Sequence, residues 1–445
     1  MDEFGLAAHG ARPETRISNS APANEASISS NLAYLLLGEI TNKGLRFLAL
    51  IVIARALSAD DLGVVSLSLA TAGLAVAVGS FGLVETGTRA IARAPDDASD
   101  IASTIILLRV ACITCVAAAV GAVVLLPRST FGFACLLGMC LALGASPDWV
   151  GRSLERMAQV AAAAVAGGLC VFLGSLLVPA PFRIGDHVLA VFVAGEVVAA
   201  GVAWTLLRDA AKPLRGVTWS GVAAAKQTST VAVGTICVYL AFANLDVLIL
   251  GTAKSAAVAG DYATVYRLFY AGTIPMIYVG YAIFPRMARS CAMGNQAPER
   301  LLARAAGLVA VVGCAGAVPM SAWSTEIAGG MFGTRFSASG EELATLLLAV
   351  PWFGAGYTVG YGELGRGSSR CFLGGAVTML AVNVIANVVM IPLYGAEGAA
   401  LSTLGSCIAG ALVWWLTSSI RKSVMFGVLL LAVLVTTMAT LVVRL

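Results

Sequence analysis

Charge is scarce in this sequence. Asp, Glu, Lys and Arg make up 12% of its 445 residues, 59% are hydrophobic, and the mean hydropathy is +0.90. A soluble domain of this length could not cover its surface with so few charges, so soluble classes are excluded. Histidine is nearly missing. His9 and His187 are the two present, which excludes a His-rich metal site. Long polar loops are missing too. The longest connections, 208–229, 286–303 and 323–342, are too short for a globular catalytic domain. Residues 1–30 lack the apolar core of a cleaved signal peptide and read as a disordered cytoplasmic tail. The apolar runs are continuous over about 20 residues rather than alternating over about 10, which excludes a β-barrel.

What is there is a series of apolar windows of spanning length. They predict an all-α polytopic membrane protein with helices at 32–54, 62–84, 101–126, 130–149, 157–179, 187–207, 230–251, 260–285, 304–322, 343–362, 371–392, 396–418 and 424–443. Placing the N-terminus inside puts 18 of the 28 Lys and Arg residues on inside segments and 6 outside. That bias fixes the orientation and supports the number of spans. The net charge of +4 records this topology and carries no signal for nucleic acid. Ten cysteines lie mostly inside apolar segments. Cys112-x-x-Cys115 sits mid-span with no second pair nearby, and packing accounts for it.

The basic stretch 209–229 divides the chain into two six-helix lobes, 31–208 and 230–418, with 419–445 holding one additional helix. A short repeat supports the division. Ala54–Gly63 and Gly251–Gly260 share Ala56/Ala253, Ser58/Ser255, Ala59/Ala256 and Gly63/Gly260. Each segment leaves the first span of its half on the outside, so the repeat is parallel. Asp60 and Asp61 in the first copy read as a solvated turn or a helix cap.

The informative residues are the polar ones inside spans. Glu39, Lys43 and Arg46 stand at i, i+4 and i+7 of the first span, on one face. A charge at the bilayer centre costs roughly 2.5–3.5 kcal/mol, so this face looks into protein or a watery cavity. Glu39 can pair with Lys43; Arg46 has no local acid. Arg109 and Arg267 are the other intramembrane bases, and Glu196 and Asp246 the other acids. Arg109, near a span end, either snorkels or faces a cavity. Arg267 lies about 10 Å deep by helix rise, which favours the cavity over snorkelling. Asp246, Asn383, Asn387 and Thr403 fall at one depth in the outer half of the second lobe. They read either as oxygen ligands for a hard monovalent cation or as interhelical hydrogen-bond partners.

Several segments together resemble the polysaccharide exporters of the MOP superfamily, the Wzx-type flippases. They are Leu45-Arg46-Phe47 through Asp60-Asp61-Leu62-Gly63, Pro147–Met157 (PDWVGRSLERM), Phe284-Pro285-Arg286, Phe332-Gly333-x-x-Phe336 and Asn387–Ala400. Ser153 stands where the family usually has Gly. The resemblance covers about 32–418 and implies two pseudo-symmetric six-helix bundles around a central cavity, as in MATE transporters. It implies no enzyme activity but a flippase in the bacterial inner membrane, N-terminus cytoplasmic. The substrate would be undecaprenyl-pyrophosphate-linked oligosaccharide for surface or secreted polysaccharide, passed on to polymerase machinery. By resemblance to lipid II flippases, Arg46 and Arg267 would bind the anionic head group, joined by Lys43 and Arg109. Asp246, Asn383, Asn387 and Thr403 would hold a coupling Na+, with H+ as the alternative and no other cofactor. Asn387 stands where those relatives have Asp, which lowers the charge of the site. Those relatives also carry two extra C-terminal helices where this chain has room for one, 424–443. The competing readings are a multidrug or organic-cation exporter of the same superfamily and a membrane-embedded glycan polymerase or ligase.

Overall fold

The structure, a computed structural model, describes residues 25–80, 82–93, 97–178, 184–209, 245–292 and 298–420, with Val435 and a few residues between 233 and 240. For some helical residues, 25–33 among them, it describes the backbone alone. The linker 210–229, most of the span predicted at 230–251 and the helix predicted at 424–443 lie outside the described residues.

The first lobe holds α1 (Glu25–Ala56), α2 (Ala59–Ser80), α3 (Leu83–Arg93), α4 (Ala98–Val124), α5 (Thr130–Ala145), α6 (Asp148–Ser153), α7 (Met157–Leu177) and α8 (Gly185–Leu206). The second holds α9 (Leu245–Ala253), α10 (Ala256–Ala292), α11 (Pro298–Ala322), α12 (Ser324–Phe332), a 3-10 turn (Thr334–Ser339), α13 (Gly340–Gly365) and α14 (Ser369–Thr417). No strand occurs among the described residues. Nine of the described helical segments are long and apolar enough to cross a bilayer, and the protein is a multi-pass membrane protein. The end where α1 finishes is called the outer end, following the Lys/Arg bias.

Helix α14 joins two predicted spans. Gly395 within it has φ 62°, and the chain folds back there. The two limbs run antiparallel: Trp414 Nε1 donates to the Phe372 carbonyl at 2.9 Å. Helix α1 starts at Glu25, inside the tail predicted for 1–30. The reason is local, because no Pro or Gly interrupts 25–37. Two predicted loops are also ordered. Helix α3 is amphipathic, with Arg89 exposed and Ile91 buried against α4 and Trp149. Helix α12 and the 3-10 turn occupy the predicted outside loop 323–342, anchored by buried Phe332 and Phe336.

The short repeat lies at the contact between the lobes. Ser58 Oγ accepts from the Asp61 amide at 3.1 Å and Ser255 Oγ from the Val258 amide at 3.2 Å. The two serines thus cap equivalent helices, α2 and α10, in the same way. Asp61 also accepts from the Gly185 amide at 3.0 Å, so the acidic turn is a cap that ties α2 to α8. The two repeat glycines meet each other. A Cβ on Gly260 would lie 2.7 Å from the Gly63 amide nitrogen. Between apolar helices in lipid there is little hydrophobic driving force, so close backbone approach through small residues supplies the contact.

Candidate functional site

Helix α1 packs on α7 through small residues: a Cβ on Gly38 would meet Ala161, and one on Gly168 would meet Asn42. This close approach turns the charged face of α1 into the first lobe. There it borders a cavity of about 280 Å³ whose wall carries Arg46, Arg109 and Arg152 against Glu39, Asp148 and Glu196.

The charges are paired over long and short distances. Arg46 Nη1 lies 2.6 Å from Glu196 Oε1 on α8, and its Nε donates to Asn42 Oδ1 at 3.0 Å. The acid that Arg46 lacks locally is supplied by a helix 150 residues away. Lys43 Nζ stands 3.8 Å from Glu39 Oε2. Arg152 donates to Asp148 on α6. Arg109 is buried, and its Nη1 and Nη2 donate to the carbonyls of Ser146 and Leu143 at the end of α5, at 3.3 and 3.2 Å. Its Nε is buried without an acceptor.

Helix α6 is held in place by Trp149, which is buried with Ile91, Ile105 and Ile106. Ser153, the departure from the family pattern, donates to the Trp149 carbonyl at 2.7 Å and lies 3.1 Å from Thr88 Oγ1 on α3. A Gly could make neither contact.

Arg267 lies on α10 in the second lobe and is not part of this cavity wall. It is half-buried, and among the described residues it has no hydrogen bond or ion pair.

A second polar cluster lies inside the second lobe. Asp246 is 3% exposed; its Oδ2 accepts from the Tyr262 hydroxyl at 2.6 Å and its Oδ1 from the Val247 amide at 2.9 Å. Thr403 is buried beside the Tyr262 hydroxyl. Asn387 Nδ2 donates to Asn383 Oδ1 at 3.0 Å, and both side chains are fully buried. The register of the α14 limbs, Met390 against Gly398 and Met379 against Gly410, sets Asn387 across from the turn that carries Thr403. Asn387 Oδ1 and Tyr266 Oη are buried without partners. Unpaired oxygens in a dry site are costly. Together with a carboxylate they suit a hard monovalent cation. Tyr262 and Tyr266 were not legible as members of this group, because tyrosine is common in spans. Among the described residues no cluster of His, Cys, Asp and Glu could hold a transition metal.

At the outer end, arginines reach across the lobe boundary. Arg55, ending α1, donates to the Met331 carbonyl at 2.8 Å and to the Gly330 carbonyl. Arg335 of the second lobe donates to the Leu57 carbonyl at 2.9 Å and pairs with Asp261 at 3.4 Å. Arg128, between α4 and α5, donates to the Gly251 carbonyl at 2.6 Å. Each acceptor lies at the C-terminal end of a helix, where carbonyls lack partners and the dipole favours a cation.

Residues 28–291, more than half of the chain, match the family described as polysaccharide biosynthesis protein. The chain belongs to that family. No curated relative matches it. Solved structures with the same fold include an inward-facing multidrug resistance MATE family transporter of the MOP superfamily, with TM-score 0.66 and 15% identity over 89% of this chain and 99% of that one. The lipid II flippase MurJ in an inward closed conformation gives 0.61 and 12% over 92% and 98%. An outward-facing MATE transporter gives 0.58 and 14% over 90% and 96%. These likenesses establish the MATE-like fold of two helical bundles.

Proposed function

We propose that the protein is a flippase for undecaprenyl-pyrophosphate-linked oligosaccharide repeat units, moving them from the inner to the outer leaflet of the bacterial inner membrane. The observation that carries this reading is a cavity bearing three arginines inside a polysaccharide biosynthesis family member. The physical task is to carry a pyrophosphate and a row of hydroxyls across about 30 Å of hydrocarbon. Arg46 and Arg109, with Lys43 beside them, offer the pyrophosphate charge-assisted hydrogen bonds in a low-dielectric setting. Arg267 stands outside this cavity wall and adds a cation from the other lobe only in a state where the lobes have rearranged. The polyprenyl chain stays in lipid while the head group is enclosed.

Transport then follows from rocking of the two lobes about the α2–α10 contact. Closure of the outer end by Arg55, Arg128 and Arg335 defines one state, and the other requires those carbonyl contacts to break. Asp246, Asn383, Asn387 and Thr403 are the oxygen ligands for a coupling cation, Na+ or H+. The N-terminus is cytoplasmic, and the delivered repeat unit passes to polymerase machinery outside. We read the protein as a transporter and not an enzyme, since its solved likenesses are transporters and flippases. An organic-cation exporter would need a cavity of net negative character; here three arginines face three carboxylates.

The test is translocation of a fluorescent lipid-linked oligosaccharide in liposomes, with and without a sodium or proton gradient. Arg46→Glu and Arg267→Glu are expected to abolish translocation while the protein still inserts. Full activity in both variants would end the head-group assignment.

A further inference from the structure

The cavity beside α1 carries its own counter-ions, and one of them holds the residue that the head group would need. Arg46 has Nη1 on Glu196 Oε1 at 2.6 Å and Nε on Asn42 Oδ1 at 3.0 Å. The Glu196 side chain is 12% exposed. A phosphate oxygen pair cannot take the fork of this guanidinium while the carboxylate keeps its place. Arg109 is different. It is 6% exposed, no carboxylate bonds it, and its Nε is buried in search of an acceptor. The same cavity is thus lined by one arginine already neutralised and one partly unsatisfied.

We propose that Glu196 is an internal counter-anion that occupies Arg46 and yields it to a dianionic group, so that the cavity selects pyrophosphate over singly charged or neutral head groups. This rests on the flippase reading above and deepens it. A singly charged group gains little from Arg46 beyond what Glu196 already provides, so displacement is not repaid. A pyrophosphate brings a second charge and enough oxygens to engage Arg109 as well as Arg46. Glu196 also limits how tightly the head group is held. A site that must release its cargo cannot bind it with two unopposed arginines, and return of Glu196 to Arg46 drives the head group off.

The experiment is calorimetric binding of inorganic pyrophosphate and of dimethyl phosphate, a singly charged phosphodiester, to the full-length protein in detergent, alongside liposome translocation. The wild type is expected to prefer pyrophosphate by about tenfold or more. In Glu196→Gln both anions should bind more tightly, dimethyl phosphate should gain more, and the preference should shrink to about threefold or less. Translocation should slow in the same variant, because release is impaired. If Glu196→Gln binds both anions as the wild type does, or more weakly by a common factor, Glu196 is a structural ion pair and the inference falls. Should Glu196→Gln fail to fold, Glu196→Asp, which keeps the charge but shortens the reach, is expected to show the same changes in part; unaltered binding overturns the inference. Failure of the flippase reading looks different: Arg46→Ala and Arg109→Ala would then both bind pyrophosphate as the wild type does.

Discussion

Arg55 of the first lobe donates to the Met331 carbonyl at 2.8 Å, and Arg335 of the second donates back to the Leu57 carbonyl at 2.9 Å. Each arginine caps a helix that belongs to the other lobe. Charged hydrogen bonds of this kind contribute about 1.5–3 kcal/mol each. Removing both with Arg55→Ala and Arg335→Ala is expected to shift the population toward states open at the outer end. Spin labels at Asp60→Cys and Ala253→Cys, in a background without the native cysteines, would report a longer distance. An unchanged distance distribution would show that these contacts do not hold the lobes together.

The Gly63–Gly260 approach makes a sharper demand. A Cβ at Gly260 meets the Gly63 backbone at 2.7 Å, and backbone cannot swing aside as a long side chain can. Gly260→Val should therefore wedge α2 from α10 at the outer end and lower translocation at least about tenfold without preventing insertion, an effect of about 1.4 kcal/mol or more. A cysteine introduced at Ala259, which is fully buried beside Gly260, should become more reactive to an impermeant thiol reagent. Wild-type reactivity and rate together would mean that the contact is not under compression.

The second-lobe cluster makes a prediction about ions. Asn387→Asp places a second carboxylate near Asp246 and should lower the sodium concentration needed for half-maximal translocation by about tenfold, or about 1.4 kcal/mol of added cation affinity. Asp246→Asn should remove the sodium dependence. If Asn387 serves only as the hydrogen-bond partner of Asn383 within its own limb of α14, Asn387→Asp would instead reduce thermal stability and leave the sodium response unaltered.

Trp149 fixes the angle of α6 and so the position of Asp148 and Arg152 in the cavity wall. Its side chain is 1% exposed in a compact apolar cluster. Trp149→Ala should cost about 3–5 kcal/mol. The cost would be read as a lower melting temperature in detergent. A loss of pyrophosphate binding without any change in melting temperature would contradict this anchoring role.

Much of the fold was legible because a bilayer permits few solutions: backbone groups must bond internally, so apolar length alone reports helices. The ordered α3 and α12 were not legible in that way, because their stability comes from Ile91, Phe332 and Phe336 meeting partners far along the chain. The site was half legible. The charged face of α1 and the acids Glu196 and Asp246 stand out as costly residues in apolar runs. Tyr262 and Tyr266 do not, since a tyrosine in a span is unremarked until its hydroxyl is seen beside a carboxylate.

Sequence by itself determined that the chain is a helical membrane protein, that it divides into two lobes, and that Glu39, Lys43 and Arg46 share a face that cannot meet lipid. Those conclusions depend on local quantities: spanning length, helical period and the cost of a charge in hydrocarbon. Only the tertiary structure decided that Arg46 belongs to Glu196, that Arg109 caps the end of α5, that Arg267 stands apart from their cavity, and that Arg55 and Arg335 bond across the lobes at the outer end. Periodicity along one helix says which face a residue takes, but not which other helix will arrive at that face.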